Sequence, residues 1–331
     1  SRYAIVNAGQ SIEFVRVTAR DSAVGFRNVP SSLNTFVRCL AISNSIGVEL
    51  MSGSGQNTWD QSVSWSNVTA FSLAATNSIT VSNSVISGGT AFGSIAPAAL
   101  DYNIYWNCSI GGGFVNLYDY QRNRNVGWNS TVIDPQFASP ATGDFHPRST
   151  TGRYDAATAS FTNDAVDSPL IDFGDPARVF TNETLPNGGR LNIGTYGDSA
   201  EASRSRTNAW LLALSLNEGG QLSIGDRVYW TANQMPTGAT VRIEYSSDSG
   251  ASWAAVATNL AVTNGFYAWA NTNFSSSLFS RWRVVYEANT NVLDANNAVF
   301  TLRNGTFRYY VNDTNLVGDI YCGAIGNDAN L

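Results

Sequence analysis

A short segment that returns about every 22 residues constrains this chain more than any other feature. Phe14-Val15-Arg16-Val17 recurs as Phe36-Val37-Arg38-Cys39, then more loosely as Trp59-Asp60-Gln61-Ser62 and Val81-Ser82-Asn83-Ser84, at offsets of 22, 23 and 22 residues. A second series runs between these: Val24-Gly25-Phe26, Gly47-Val48-Glu49-Leu50, Ala70-Phe71-Ser72-Leu73 and Ala91-Phe92-Gly93-Ser94. The connecting turns carry Asp21-Ser22, Ser43-Asn44-Ser45, Ser66-Asn67 and Gly88-Gly89, residue types that tolerate left-handed backbone. Two or three short strands per period with polar corners predict a parallel β-helix, in which each coil pairs with the coils above and below. No Leu-x-x-Leu-x-Leu pattern repeats, which disfavours a leucine-rich repeat. About four coils are readable before Asp101.

Beyond Asp101 the period fades and turn residues dominate, with aromatics scattered among them. Residues 101–203 are read as irregular loops capping the far end of the stack, so that 1–203 forms one unit. The Arg/Ser-rich segment 204–207 suits a linker. Residues 208–304 change character. Arg227-Val228-Tyr229-Trp230, Val241 to Tyr245, Phe266 to Trp269, Arg281 to Tyr286 and Val299 to Leu302 alternate between turns, the pattern of an antiparallel sandwich of immunoglobulin or fibronectin type. The tail, 305–331, opens with one more strand-like run, Phe307-Arg308-Tyr309-Tyr310-Val311. The predicted class is all-β: a right-handed parallel β-helix, an immunoglobulin-like sandwich and a short β tail.

Composition narrows the function. Charged residues are 13% of the 331, and every one of the 19 basic residues is arginine, against 25 acidic ones, giving a net charge of −6. Such a surface argues against nucleic-acid binding. The longest apolar run, Trp210 to Leu214, is far short of the roughly 20 residues of a membrane span. Cys39, Cys108 and Cys322 are odd in number and widely spaced, which points to free thiols rather than a zinc site or a disulfide framework. With no initiator methionine, the chain is expected to be a processed product or a piece of something longer.

Residues 144–197 carry the most specific motifs: Asp144-Phe145-His146, Gly152-Arg153-Tyr154, Ser168-Pro169-Leu170-Ile171-Asp172-Phe173-Gly174-Asp175-Pro176, and Asn182 through Gly197, which includes Pro186-Asn187-Gly188-Gly189-Arg190-Leu191-Asn192-Ile193-Gly194. Their order closely resembles the C-terminal end of right-handed parallel β-helix repeat proteins, a superfamily that holds pectate-lyase-like enzymes and very large secreted bacterial proteins. Phe173 departs from it, since a small residue is more usual there. The tail, with Tyr309-Tyr310-Val311-Asn312-Asp313 and Asp319-Ile320-Tyr321-Cys322, resembles the opening of a further β-helix. The resemblance implies an extracellular or cell-surface setting and covers architecture better than chemistry.

The chemistry is sparse. A lyase needs a base beside a uronate carboxylate; with no lysine present, Arg16 and Arg38, one coil apart, are the candidates, and a guanidinium is a poor base. A glycoside hydrolase needs paired carboxyls, and Asp60 beside Trp59 is the best single candidate. Trp59, Trp230 and Trp269 could instead face a sugar, or fill a core. Asp172, Asp175 and Glu183 sit in Gly- and Pro-rich turns that could wrap a calcium ion through oxygen ligands, although turn stabilisation explains them as well. His146 is the only histidine, and Ser246 to Trp253 has the form of a single Asp-box hairpin; both read as structural.

No convergent catalytic set emerges, so the expected role is structural or adhesive, as a segment of a large surface protein. Its partners would be other copies of itself, joined head to tail, with an extracellular polysaccharide as a second kind of partner. The first coil, Tyr3 to Val17, is expected to lack a cover, and Phe307, Tyr309, Tyr310, Val311, Ile320 and Tyr321 to pack on the open end of the next copy. A polysaccharide lyase or hydrolase, or a carbohydrate-binding module, is the alternative.

Overall fold

Repetition in the sequence becomes stacking in space. The computed structural model describes residues 2–7, 11–29, 33–53, 55–270 and 273–304, and its first part is a parallel β-solenoid of about five coils. One sheet has six parallel strands: Tyr3–Asn7, Val24–Asn28, Ile46–Leu50, Thr69–Leu73, Thr90–Phe92 and Ser109–Gly111. The second has five: Glu13–Val15, Thr35–Val37, Asn57–Asp60, Ile79–Ser82 and Ala99–Asp101. The third has six: Thr18–Arg20, Leu40–Ile42, Val63–Trp65, Val85–Ser87, Ile104–Trp106 and Thr131–Val132. Register follows the sequence repeat, with Phe14 opposite Phe36 and Phe36 opposite Trp59.

Each passage from the second sheet to the third turns on a single residue in left-handed backbone: Arg16, Arg38, Gln61, Asn83 and Tyr102, at φ of 46–55°. Asp21, Ser43, Ser66, Gly88 and Asn107 do the same between the third sheet and the first. A one-residue corner is sharp enough to keep coils short, and polar side chains tolerate it best.

Alternation along these strands sends every second residue inward. Phe26, Phe36, Trp59, Phe71, Phe92 and Tyr105 fill the solenoid as one aromatic column, with small Ala19 and Ala41 from the third sheet in the same core. Phe14 and Phe36 stack at 5.1 Å and 6°. Large against small across the lumen is what lets coils close at native density.

The far end is not closed by the loops as expected. Coils continue past Asp101 to Gly111, because Leu100, Tyr105 and Ile110 keep the inward phase. The closure is a helix, Leu117–Arg124, whose Leu117 and Tyr120 enter the same core. Asn116 caps it by accepting from Asp119 N–H at 2.7 Å, Asp119 lies in its first turn, and Arg122 and Arg124 lie in its last. Asn125 ends it in left-handed backbone.

The loops expected as the cap lie instead along the outer face of the third sheet. That face is apolar: Val63, Val85 and Ile104, with Leu40, Ile42 and Trp65 around them, pack against Phe137, Phe145, Leu170, Phe173 and Ile193. Phe173 therefore fills a real space. Arg204 to Arg206 are packed as well, with Ser205 buried and its hydroxyl donated to Asp172.

The second part is a β domain of two sheets on a core of its own. Trp210–Ala213, Arg227–Asn233 and Phe266–Ala268 form one sheet. Gln221–Ser223, Phe300–Arg303, Ser277–Tyr286, Thr240–Ser246 and Ala254–Ala261 form the other, with Leu293–Ala295 also paired to Ser277–Tyr286. Between them lie Val228, Trp230, Val241, Ile243, Trp269, Trp282 and Val284. All pairings are antiparallel except Gln221–Ser223 with Phe300–Arg303. The domain is joined to the solenoid without a gap. Tyr118 donates to Arg227 O at 2.9 Å, Thr131 to Leu214 O at 2.9 Å, and Trp128 stacks on Tyr229 at 4.6 Å.

Candidate functional site

Inside the solenoid corners, side-chain amides and hydroxyls form three ladders, each oxygen accepting from the backbone of the preceding coil. At one corner Ile12 N–H donates to Asn34 Oδ1 and Asn34 N–H to Asn57 Oδ1, at 3.1 and 2.8 Å. At the next, Cys39 N–H donates to Ser62 Oγ, Ser62 N–H to Ser84 Oγ, Ser84 N–H to Asn103 Oδ1 and Asn103 N–H to Ser130 Oγ, at 2.9–3.1 Å. At the third, Ser22 N–H donates to Asn44 Oδ1 and Asn44 N–H to Asn67 Oδ1, at 3.1 and 2.8 Å. Of these, Asn44 and Asn67 were visible in the sequence as turn formers; their burial was not. Satisfying the corner N–H groups matters because an unpaired buried donor costs about 1–3 kcal/mol.

The first coil carries the proposed assembly edge. Tyr3–Asn7, Glu13–Val15 and Thr18–Arg20 each stand at the edge of a sheet and pair on one side only among the described residues. Val6 and Val15 are each 49% exposed and Ile12 39%. Phe14 is only partly buried, at the open end of the aromatic column. The proposed assembly residues Phe307, Tyr309, Tyr310, Val311, Ile320 and Tyr321, like Cys322, lie outside the described residues.

The lyase and hydrolase candidates are not arranged for chemistry. Arg16 and Arg38 do occupy successive corners, but Arg38 is held by Gln61 Oε1 at 3.0 Å and by Asp198 Oδ2 at 2.9 Å. Asp60 is no outward acid. It is 1% exposed, ion-paired with Arg178 and bonded by Ser82 and Asn83 at 2.8 Å each. A substrate could not reach it without displacing Arg178.

The tryptophans proposed for sugar binding are buried. Trp59 lies between Phe36, Phe26 and Phe71 in the solenoid, and Trp230 and Trp269 lie in the core of the second domain. None offers a ring face to solvent. These tryptophans fill cores, the other reading the sequence allowed.

The three calcium candidates each have hydrogen-bond partners of their own. Asp175 makes a turn with Ala177 N–H at 2.9 Å, Asp172 accepts from Ser205, and Glu183 Oε1 accepts from Asn192 and Asp198 N–H at 2.8 and 2.9 Å. Among the described residues no three His, Cys, Asp or Glu side chains gather as a metal site. Asp172 and Glu183 are structural acids. Burial pushes Asp172 up to about 6, against the pull of Ser205, Arg206 and Arg190. It pushes Glu183 up to about 8, over the two N–H donors and with added repulsion from Asp172 and Asp198.

The other motifs are also absorbed by structure. His146 stacks on Tyr196 at 3.5 Å, with Nδ1 2.6 Å from Asp144 Oδ1. Asp248 ties the Asp-box-like hairpin by accepting from Ser246 and Ser252. Cys39 and Cys108 are free thiols, raised by burial to about 11 and about 12.

Where the loops along the third sheet meet the second domain, a cleft of about 570 Å³ is lined by Asp134, Asp167, Arg206, Trp210 and Asp294 among others. Its charges are already engaged: Arg206 lies over the Trp210 ring at 4.7 Å and Asp294 accepts from Ala213 N–H at 2.7 Å. No helix among the described residues is long and apolar enough to cross a membrane. No family model matches the chain, and neither a curated protein nor a solved structure matches it.

Proposed function

We propose that this chain is a structural segment of a large extracellular or cell-surface protein, in which a β-helix and an immunoglobulin-like sandwich act as one stiff unit that joins to its neighbour end to end. The observation that carries this reading is the leading coil. Its three strands pair on one side only among the described residues, while Trp59, Asp60, Asp172, Glu183, Trp230 and Trp269 are buried and Arg38 is paired with Asp198. An exposed parallel edge is a template for association unless something covers it. The contact would be heterologous, the edge of one copy meeting the tail of another, and a heterologous contact that does not close propagates.

Sedimentation over a wide concentration range, with electron micrographs of the same samples, tests this directly. Linear particles whose length grows with concentration, lost when residues 305–331 are removed, are expected. A monomer at every concentration, or assembly unaffected by the deletion, rules the reading out. Screening the chain for unsaturated uronate release and for reducing ends separates it from a lyase or a hydrolase.

A further inference from the structure

The corner between the second and third sheets is taken by Arg16, Arg38, Gln61, Asn83 and then Tyr102, all in left-handed backbone. Tyr102, at φ 54°, is the outlier of the series: a bulky ring suits that conformation poorly, whereas the short amide of Asn83 suits it well. The surroundings hold it there. Asp101 Oδ1 accepts from Tyr102 N–H at 3.0 Å and from Asn129 N–H at 2.9 Å. Arg190 lies over the ring at 5.6 Å, its own guanidinium fixed by Gly174 O, Phe173 O and Thr231 Oγ1. Backbone strain that neighbouring contacts maintain marks a position where the side chain itself is needed.

Tyr102 lines a groove of about 790 Å³ where the solenoid and the lateral loops meet the second domain. The loop from Asn233 to Gly238 lines it from the second domain, bringing Met235, Pro236 and Thr237, together with Gln234, which is also in left-handed backbone at φ 56°. Thr263 lines it from the neighbouring turn. The hydroxyls of Tyr102, Thr237 and Thr263 and the side-chain amide of Gln234 make no hydrogen bond among the described residues. Arg190 is the only charged side chain among the lining residues, and the three bonds above occupy it.

That combination selects a ligand. A charged molecule would bury its charge in the groove without a free counter-charge. Hydroxyl and amide groups both donate and accept, so they pair in either sense with the hydroxyls of a polyhydroxylated molecule, while a tyrosine ring offers an apolar body to its carbon frame. We infer that the groove between Tyr102 and the loop from Asn233 to Gly238 is a binding site for an uncharged saccharide, with the Tyr102 ring against its apolar face and Gln234, Thr237 and Thr263 on its hydroxyls. No lining residue belongs to the first coil or to 305–331, so the site stands or falls apart from end-to-end assembly.

The test passes the full chain over an immobilised β-glucan, mannan, xylan and galactan, with polygalacturonate and an uncharged peptide library as comparisons. Retention on at least one neutral glycan, insensitive to added salt, is expected. Tyr102→Asn should weaken that retention about tenfold or more while the melting midpoint holds or rises, because the strain leaves with the ring. Gln234→Ala with Thr263→Ala, both exposed and unpartnered, should weaken retention with the midpoint unchanged. Retention on no neutral glycan, on polygalacturonate or the peptides alone, or undiminished in either variant overturns the site. A Tyr102→Asn chain that melts lower and binds as the parent does makes the ring a packing group, and overturns it as well.

Discussion

Asn67 Oδ1 accepts from both the backbone N–H and the side-chain Nδ2 of Asn44, one coil away, at 2.8 and 3.0 Å. Asn67 in turn donates to Ala41 O and Ser64 Oγ at 2.8 and 2.9 Å. Both residues are buried, so this corner is satisfied only as a chain of amides. Asn67→Leu is expected to lower unfolding free energy by about 2–4 kcal/mol, since it orphans two donors and two acceptors. Urea denaturation measures it; a loss near zero would mean that water replaces the amide.

Gly47 lies beside that corner because nothing larger fits. A Cβ there would stand 2.7 Å from Ala70 O and 3.0 Å from Asn67 Nδ2. Gly47→Ala should destabilise by about 1–3 kcal/mol through displacement of the neighbouring strand. The shift in denaturation midpoint should exceed that of Gly93→Ala, whose Cβ would meet only ordinary contacts, Phe71 O at 3.6 Å and Thr69 Cγ2 at 3.7 Å.

The pair Arg178 and Asp60 joins a loop along the third sheet to the solenoid corner. Removing Arg178 leaves a buried carboxylate with only Ser82 and Asn83 to stabilise it. Arg178→Ala is expected to cost about 2–4 kcal/mol, discounted because the arginine is itself 45% exposed. Asp60→Asn in the same background should recover part of it. A double-mutant cycle without coupling would show that the pair is not formed in solution.

Stability should fall as pH rises through neutrality. Glu183 is raised to about 8 and Glu218 to about 7, both by burial first. The folded chain therefore keeps protons that the unfolded chain has released above about 4.5. The contribution of these two carboxyls is full below that value, declines from there to about 8, and levels off above. Glu183→Gln should flatten the decline while keeping an oxygen for Asn192 and Asp198 N–H. Denaturation midpoints at acid and alkaline pH measure both effects, and an equal slope in the variant would exclude Glu183 as their source.

The solenoid was legible because its period is written in local patterns: inward phase, corner residues, offsets near 22. The strands of the second domain were legible for the same reason, at Arg227 to Trp230 and Val241 to Tyr245. Other features depend on contacts distant in sequence. Asp60 looked like a surface acid because Arg178 is far along the chain. Trp59, Trp230 and Trp269 looked like platforms because an aromatic carries the same letter in a core and on a face. The helix Leu117–Arg124 was missed because it is one short span with a weak apolar stripe, although Asn116, Asp119, Arg122 and Arg124 mark its ends. The lateral packing of residues 134–203 did leave a signal: Leu40 and Ile42, Val63 and Trp65, and Val85 and Ile104 face outward on strands whose inward residues are also buried.

That two-faced sheet limits how such a molecule can change its length. Duplicating a coil lengthens the lumen at little cost, since each new rung brings its own inward residues. On the third sheet, however, the same duplication would bring an outward pair such as Val63 and Trp65 beyond the reach of the loops now covering them. Growth by tandem copying is therefore coupled to growth of the overlying segment, and the number of turns cannot drift independently of it.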